Sequence, residues 1–107
     1  MREWLYVEDA AEGILRAAEV YSDSDPLNIA FGTGISIASL AELIKTLIGF
    51  EGAIEHDPTK PDGAIHKVAD ISRMRALLNW TPPTALEDGI RQTLAWFVEN
   101  YDEAIQH

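Results

Sequence analysis

An amphipathic helix bracketed by two caps lies in the middle of this 107-residue sequence. Its apolar residues recur at spacings of three and four, which is typical of a helix with one buried face: Leu40, Leu43, Ile44, Leu47 and Ile48. Ser36 suits the N-cap, and Gly49 suits a left-handed C-cap. With 47% apolar residues the chain is expected to fold around a core, and its length supports a single domain over residues 1–107.

Three further helices are predicted around this one. The first covers residues 8–21, with an apolar stripe of Ala10, Ala11, Ile14, Leu15 and Ala18. A short helix over residues 71–78 is expected to turn Met74, Leu77 and Leu78 inward and to end at Asn79 and Trp80. Thr84 and Glu87 match a capping box that opens a long last helix. Its apolar stripe contains Leu86, Ile90, Leu94, Phe97, Tyr101 and Ile105.

Short apolar runs between the helices predict strands over residues 27–31 and 53–56, with a brief extended piece over 67–70. The order of elements indicates an α/β class: a small domain of about four helices with short strands. Residues 57–63 form a loop by composition, since they contain two prolines, one glycine and three charges.

Composition excludes several classes of function. Eighteen acidic and eight basic residues give a net charge of −10, which argues against a nucleic-acid binder, whose affinity comes from cations that neutralise phosphates. The absence of cysteine removes disulfides, thiol nucleophiles and cysteine-bound metals. No apolar run approaches the roughly 20 residues that span a bilayer, so a cytoplasmic protein without a membrane segment is expected.

Common catalytic motifs are missing from the sequence. It contains no glycine-rich dinucleotide fingerprint, no Tyr-x-x-x-Lys pair and no G-x-S-x-G. The spacing of His56, His66 and His107 fits no metal site. Two polar segments remain: residues 2–9, and residues 60–63 with His66 and Lys67 close behind. A loop that offers a cation, a carboxylate and backbone N–H groups suits a sugar hydroxyl and a phosphate, although charged surface loops have the same composition.

Read in order, these segments resemble the GDP-L-fucose synthases, a family of extended short-chain dehydrogenase/reductases. Residues 2–11, Arg-Glu-Trp-Leu-Tyr-Val-Glu-Asp-Ala-Ala, resemble the family's R-E-F-L-x-V-D-D-x-A. The Asn-Ile-Ala-Phe-Gly-Thr-Gly of residues 28–34 is similar to its strand and turn. Residues 37–44, 49–52, 60–63 (Lys-Pro-Asp-Gly) and 70–73 follow in the same order. The resemblance covers essentially all of the chain, but only about the last third of a family member.

The resemblance implies substrate contacts. It assigns GDP-sugar binding to Arg2 and Asp62, and more weakly to Lys60. Arginine forms forked hydrogen bonds to phosphate, and aspartate accepts hydrogen bonds from hydroxyls. The sequence departs from the family where a Pro-Arg-Lys-like stretch is replaced by residues 64–67, Ala-Ile-His-Lys, and where Trp4 replaces a phenylalanine.

In the family, the dinucleotide site, the catalytic Ser, Tyr and Lys, and the Cys and His proton donors lie upstream of this match. The resemblance therefore implies that the isolated chain is not an enzyme and binds no cofactor, with NADP bound only by a full-length relative. Met1 is compatible with an internal methionine of such a relative. The expected partners are a weakly bound GDP-sugar and either a second copy of the chain or a separate N-terminal half.

Two alternatives remain. The first is a non-enzymatic association module that dimerises or pairs with that N-terminal half. The second is a small enzyme that uses carboxylates drawn from Asp57, Asp62 and Asp70.

Overall fold

Five helices make up the regular structure of the described residues, 1–60 and 65–106 of a computed structural model. In chain order they are α1 (Val7–Val20), α2 (Ile37–Ile48), α3 (Ser72–Leu78), α4 (Leu86–Glu99) and α5 (Tyr101–Ala104). The bounds of α1, α2 and α3 lie within two residues of the predicted bounds. Helix α4 begins close to where the last helix was predicted to begin, but it ends earlier. A small domain of about four helices is therefore confirmed. None of the helices in these ranges is long and apolar enough to cross a bilayer.

Helix α2 has both of its predicted caps. The Ser36 hydroxyl accepts a hydrogen bond from the Ser39 N–H at 3.1 Å. Gly49 ends the helix in the left-handed region at φ 72°, and the N–H of Phe50 donates to the Lys45 carbonyl at 3.1 Å. These bonds satisfy backbone groups that every helix leaves without intrahelical partners.

The predicted capping box of the last helix is wrong. Ala85 is the N-cap residue of α4, and the hydroxyl and N–H of Thr84 both donate to Asp9 instead of closing the first turn of α4. A buried carboxylate accepts these hydrogen bonds more strongly than a neutral group would. The last helix is also interrupted, because Asn100 leaves helical geometry at φ −117° between α4 and α5.

The buried face of α1 differs from the predicted one. Asp9 and Gly13 are its buried residues, whereas Ile14 and Leu15 are 60% and 65% exposed. Gly13 explains the choice, since a Cβ at this position would lie 2.8 Å from Ile29 and 2.9 Å from the Trp80 ring. The missing side chain lets α1 approach the core more closely than an apolar stripe of larger residues could.

The core is small and centres on α3. Met74, Leu78 and Trp80 are buried, with Ala17, Leu27, Ile29 and Ile71 packed against them. Leu77, predicted to face inward with Met74 and Leu78, is 49% exposed. A two-turn helix presents one narrow stripe to α1, and Leu77 points away from that stripe.

The two predicted strands are wrong as regular elements. Within the described residues, β pairing consists of isolated bridges from Arg2, antiparallel to Ile35 and parallel to Lys67. In segment 27–31 the side chains of Leu27 and Ile29 pack against the core, although the backbone forms no strand. Apolar runs of this length indicate burial but do not supply the neighbour that a strand needs.

The chain exposes more surface than a typical monomer. Its accessible surface is 8113 Å² at a mass of 11.9 kDa, compared with about 6,000 Å² for an average folded monomer of that size. Its radius of gyration is 16.6 Å, compared with about 13 Å for a compact domain of this length. Much of the additional surface is apolar: Ile14, Leu15, Phe50, Ile65, Trp96 and Val98 are all more than half exposed.

Candidate functional site

The N-terminal segment joins two distant parts of the chain at Arg2. The Arg2 N–H donates to the Ile35 carbonyl at 3.0 Å, and the Ile35 N–H returns a bond to the Arg2 carbonyl at 2.8 Å. On the other side, the Lys67 N–H donates to the Met1 carbonyl at 3.0 Å. These main-chain bonds fix the backbone of Arg2 between the turn that precedes α2 and the segment that precedes α3.

Glu3 reinforces this junction with its side chain. One carboxylate oxygen accepts the Gly32 N–H at 2.7 Å, and the other accepts the Ala69 N–H at 2.7 Å. Both bonds are partly buried and charge-assisted, which makes them shorter and stronger than neutral amide bonds. Glu3 therefore holds the Gly32–Gly34 turn and the stretch before α3 in a fixed relation to Arg2.

Of the predicted substrate-binding residues, Arg2 is the one placed at this junction. Its side chain is partly buried, and its guanidinium donates to the Met1 carbonyl at 2.9 Å. Lys60 is exposed in a turn, where its N–H donates to the Asp57 carbonyl at 3.4 Å. Asp62 lies outside the described residues, so its predicted role stays a prediction.

Lys67 and Glu3 were not singled out as site residues in the sequence, yet both lie at the junction. Lys67 is exposed and forms a bridge directly with Arg2, which brings two cations onto neighbouring strands of backbone. The Glu3 carboxylate lies at the same junction, between the amides of Gly32 and Ala69. The closeness of Lys67 to Lys60 in the sequence could have identified Lys67 as a site residue. Nothing in the sequence indicates which two amides Glu3 binds.

Two of the three carboxylates proposed for an independent acid–base site, Asp57 and Asp70, accept hydrogen bonds from neighbouring residues, and the third, Asp62, lies outside the described residues. Asp57 accepts hydrogen bonds from the hydroxyl and the N–H of Thr59, and these bonds hold its pKa below the ordinary value. The hydroxyl and N–H of Ser72 lower the pKa of Asp70 in the same way. Both groups are exposed and lie in short turns. A lowered pKa makes each carboxylate a weaker base, which does not favour general acid–base catalysis at neutral pH.

Among the described residues, His, Asp and Glu form no group of three that could hold a metal ion. The residue types at the junction are those that recognise anions, since arginine offers a forked donor and lysine a point charge. Such a pair suits phosphate recognition, as long as the ligand is held by further contacts.

The chain is similar to GDP-L-fucose synthases from several organisms. It is 42% identical over 100 residues to GDP-L-fucose synthase 1 of Arabidopsis thaliana, a match that covers 94% of this chain and 31% of that protein. It is 34% identical over 111 residues to GDP-L-fucose synthase of Escherichia coli, with 95% of this chain and 34% of the relative covered. No family model matches the chain.

The fold is similar to part of a solved enzyme. Bordetella bronchiseptica WbmF, crystallised with NADH, superimposes with a TM-score of 0.84 at 28% sequence identity. The superposition covers 98% of this chain and 31% of WbmF, which has also been crystallised with NAD+ and UDP. The chain thus spans about a third of the length of the relatives that it matches.

Proposed function

We propose that this chain is a nucleotide-sugar-binding portion of an enzyme similar to GDP-L-fucose synthase. The premise is its homology to the C-terminal part of GDP-L-fucose synthases, which are enzymes of the extended short-chain dehydrogenase/reductase class. Residues 1–107 act as one domain in the cytoplasm, and the diphosphate of a GDP-sugar binds at Arg2. Asp62 accepts hydrogen bonds from the ligand, and Lys60 contributes a weaker contact.

The fixed backbone of Arg2 is the observation that supports this proposal. Its N–H and carbonyl bond to Ile35, and the adjacent Met1 carbonyl accepts the Lys67 N–H. The Arg2 guanidinium donates to the same Met1 carbonyl at 2.9 Å. The fixed backbone lowers the ordering cost of a phosphate contact at this position, so even a partial site retains some affinity. Lys67 adds a second positive charge to the same part of the surface.

We infer that the isolated chain catalyses neither epimerisation nor reduction. The matched relatives extend over about three times its length, and the resemblance places the NADP site and the catalytic Ser, Tyr and Lys in their remaining two thirds. Supplying NADPH and a GDP-4-keto-6-deoxymannose substrate to the purified chain should therefore give no NADPH oxidation above background. Turnover that depends on the chain would contradict this inference.

Calorimetric titration with GDP and GDP-fucose tests the binding itself. We expect weak saturable binding that Arg2→Ala reduces by about tenfold, because a forked charge-assisted contact is lost. The backbone bonds of residue 2 do not depend on its side chain, so the variant should fold. Arg91→Ala is the matched control, since Arg91 is exposed on α4 and pairs with Glu87 at 2.8 Å. Absence of heat and of any thermal shift at millimolar ligand would refute the proposal.

A second candidate function is association. The exposed face of α1 contains Val7, Ala11, Ile14, Leu15 and Ala18, which follow the spacing of one helical stripe. An unpartnered stripe of this kind, together with the large total surface, favours a partner that covers it. The partner would be a second copy of this chain or a separate polypeptide equivalent to the rest of the relatives.

Light scattering over a range of concentrations tests the association. We expect a dimer that Leu15→Glu converts to a monomer, whereas Arg16→Gln changes the net charge equally on a neighbouring face and should leave the dimer intact. A monomeric wild-type chain at high concentration would exclude self-association. Titration with the unmatched part of the Arabidopsis thaliana relative, expressed separately, then tests the other partner.

A further inference from the structure

A cavity of about 470 Å³ lies between α2, α4 and the segment that enters α1. Trp4, Tyr6 and Val7 line one wall, Leu40 and Ile44 of α2 a second, and Leu86, Ile90 and Leu94 of α4 a third. Its volume falls in the range of small-molecule sites, roughly 300–1,000 Å³. Arg2, Lys60 and Lys67 are not among its lining residues, so it is separate from the described residues of the proposed nucleotide-sugar site.

The chemistry of the walls restricts what this cavity can hold. Its lining residues are apolar or carry a neutral polar group, and none is charged. The Tyr6 hydroxyl already donates to the Gln92 side chain at 3.1 Å, and the Thr84 hydroxyl donates to Asp9 at 2.9 Å. The Thr93 hydroxyl donates to the Gly89 carbonyl at 2.8 Å. A polar ligand that enters would therefore lose its water without gaining these groups as donors.

Tyr6 reports the same environment. Removal of water around its hydroxyl raises the pKa of the phenol, with smaller contributions from the charge of Glu8, a hydrogen bond with Glu8 and the charge of Asp9. Below this pKa the phenol stays neutral, so the wall carries no charge over the neutral pH range. Such a surface disfavours an anionic ligand, because no cation compensates for its desolvation.

We propose that this cavity is a binding site for a small, uncharged apolar molecule with a ring or a short alkyl chain. At about 30 Å³ for each water-sized group, the space holds about ten to fifteen non-hydrogen atoms. The cavity is open to solvent between the helices, and three walls from different parts of the chain surround the ligand. The apolar area of the walls drives binding, and affinity follows the hydrophobicity of the ligand.

Fluorescence titration with 1-aminonaphthalene, an apolar dye that is uncharged at neutral pH and small enough for this space, tests the site on the full chain. We expect saturable binding with one molecule per chain and displacement by decanol. Decanoate has the same alkyl chain with a negative charge, and it should compete at least about tenfold more weakly. Equal competition by the two compounds would overturn the assignment of an uncharged ligand.

Two variants of α2 locate the dye. Ile44→Phe places a larger side chain on the wall of the cavity, and the affinity should fall by about tenfold or more. Ile48→Phe makes the same change one turn later, at a position that is 55% exposed and does not line the cavity, and the affinity should stay within about twofold. Far-UV circular dichroism and the melting temperature establish that both variants fold. If Ile44→Phe unfolds, Leu94→Phe on the opposite wall replaces it.

Equal affinity of the wild type and the folded wall variant would overturn the proposal, because the dye would then bind elsewhere on the exposed apolar surface. Binding of several dye molecules per chain without saturation would do the same. A dye affinity that falls as protein concentration rises, together with dimer formation in light scattering, would assign the cavity to a second copy of the chain and not to a small molecule.

Discussion

Asp9 accepts two hydrogen bonds from Thr84, one from its N–H and one from its hydroxyl, each at 2.9 Å. The two residues are 75 positions apart in the chain. Asp9 lies in the first turn of α1, and Thr84 lies directly before the N-cap of α4. Because Asp9 is only 4% exposed, this bidentate contact provides a buried polar link between the two longest helices.

We expect Asp9→Asn to lower the free energy of unfolding by about 1–3 kcal/mol, since the amide replaces one acceptor with a donor and leaves a partly buried group of Thr84 without a partner. Chemical denaturation measures the change. Glu8→Gln removes the same charge from the same turn at an exposed position, and it should cost less than about 1 kcal/mol. Equal effects of the two substitutions would mean that the charge near the helix terminus, not the contact with Thr84, stabilises the fold.

Gly13 permits the close approach of α1 to the core. Gly13→Ala should destabilise the chain by about 1–3 kcal/mol, although alanine favours a helix, because its Cβ would meet Ile29 and the Trp80 ring at under 3 Å. Gly89→Ala in α4 is the comparison, since its Cβ would lie 3.3 Å from Tyr6. Thermal unfolding of both variants measures the loss of stability, and we expect a smaller loss for Gly89→Ala. The opposite ranking would show that the packing around Gly13 relaxes readily.

Glu3 holds two loop segments together through the amides of Gly32 and Ala69. We expect Glu3→Gln to speed hydrogen exchange at both amides by about tenfold or more, because an amide donor replaces one acceptor and the remaining oxygen loses its negative charge. Glu12→Gln breaks only the exposed pair with Arg16 and should leave both exchange rates unchanged. Unchanged rates in Glu3→Gln would mean that the Arg2 bridges alone hold the junction.

Asp70 gives a pH dependence with a defined sign. Its pKa is lower in the folded chain than the ordinary value of 3.8, because the hydroxyl and N–H of Ser72 donate to it. Its contribution to stability is therefore present above that ordinary value and is lost as the pH falls through the lower folded value. The difference in the free energy of unfolding between wild type and Asp70→Asn should therefore vanish as the pH falls from the ordinary value through the lower folded one.

Carboxyl chemical shifts followed by NMR measure the pKa of Asp70 directly. Ser72→Ala removes the hydroxyl donor and should move this pKa upward. A pKa of Asp70 that does not change in Ser72→Ala would assign the shift to the backbone N–H of residue 72.

Local signals predicted the helices because the responsible residues are neighbours in sequence. Ser36 and Gly49 cap α2 as their residue types indicate, and Asn79 ends α3 in the left-handed region at φ 49°. The wrong predictions concern residues whose partners lie far away in the sequence. The capping box failed because Thr84 bonds to a residue in α1, and the buried face of α1 was misassigned because Gly13 accommodates Ile29 and Trp80.

The candidate site divides in the same way. Arg2 and the Lys-Pro-Asp-Gly segment were recognisable as a motif series, and the similarity to GDP-L-fucose synthases confirms the family resemblance on which they rest. Lys67 and Glu3 acquire their positions only when the N-terminal segment lies between residues 35 and 67. The apolar cavity likewise needs three separate segments to form its walls.

The sequence by itself determined the positions of the helices, the two caps of α2 and the kinship of the chain, because these depend on residue types at short spacing. The tertiary structure decided which helix face is buried, where Asp9 and Glu3 find their donors, and how little apolar surface the chain covers. The physical reason is that side-chain burial and long-range hydrogen bonds depend on surfaces brought together from distant positions, and residue spacing along one segment does not encode those surfaces.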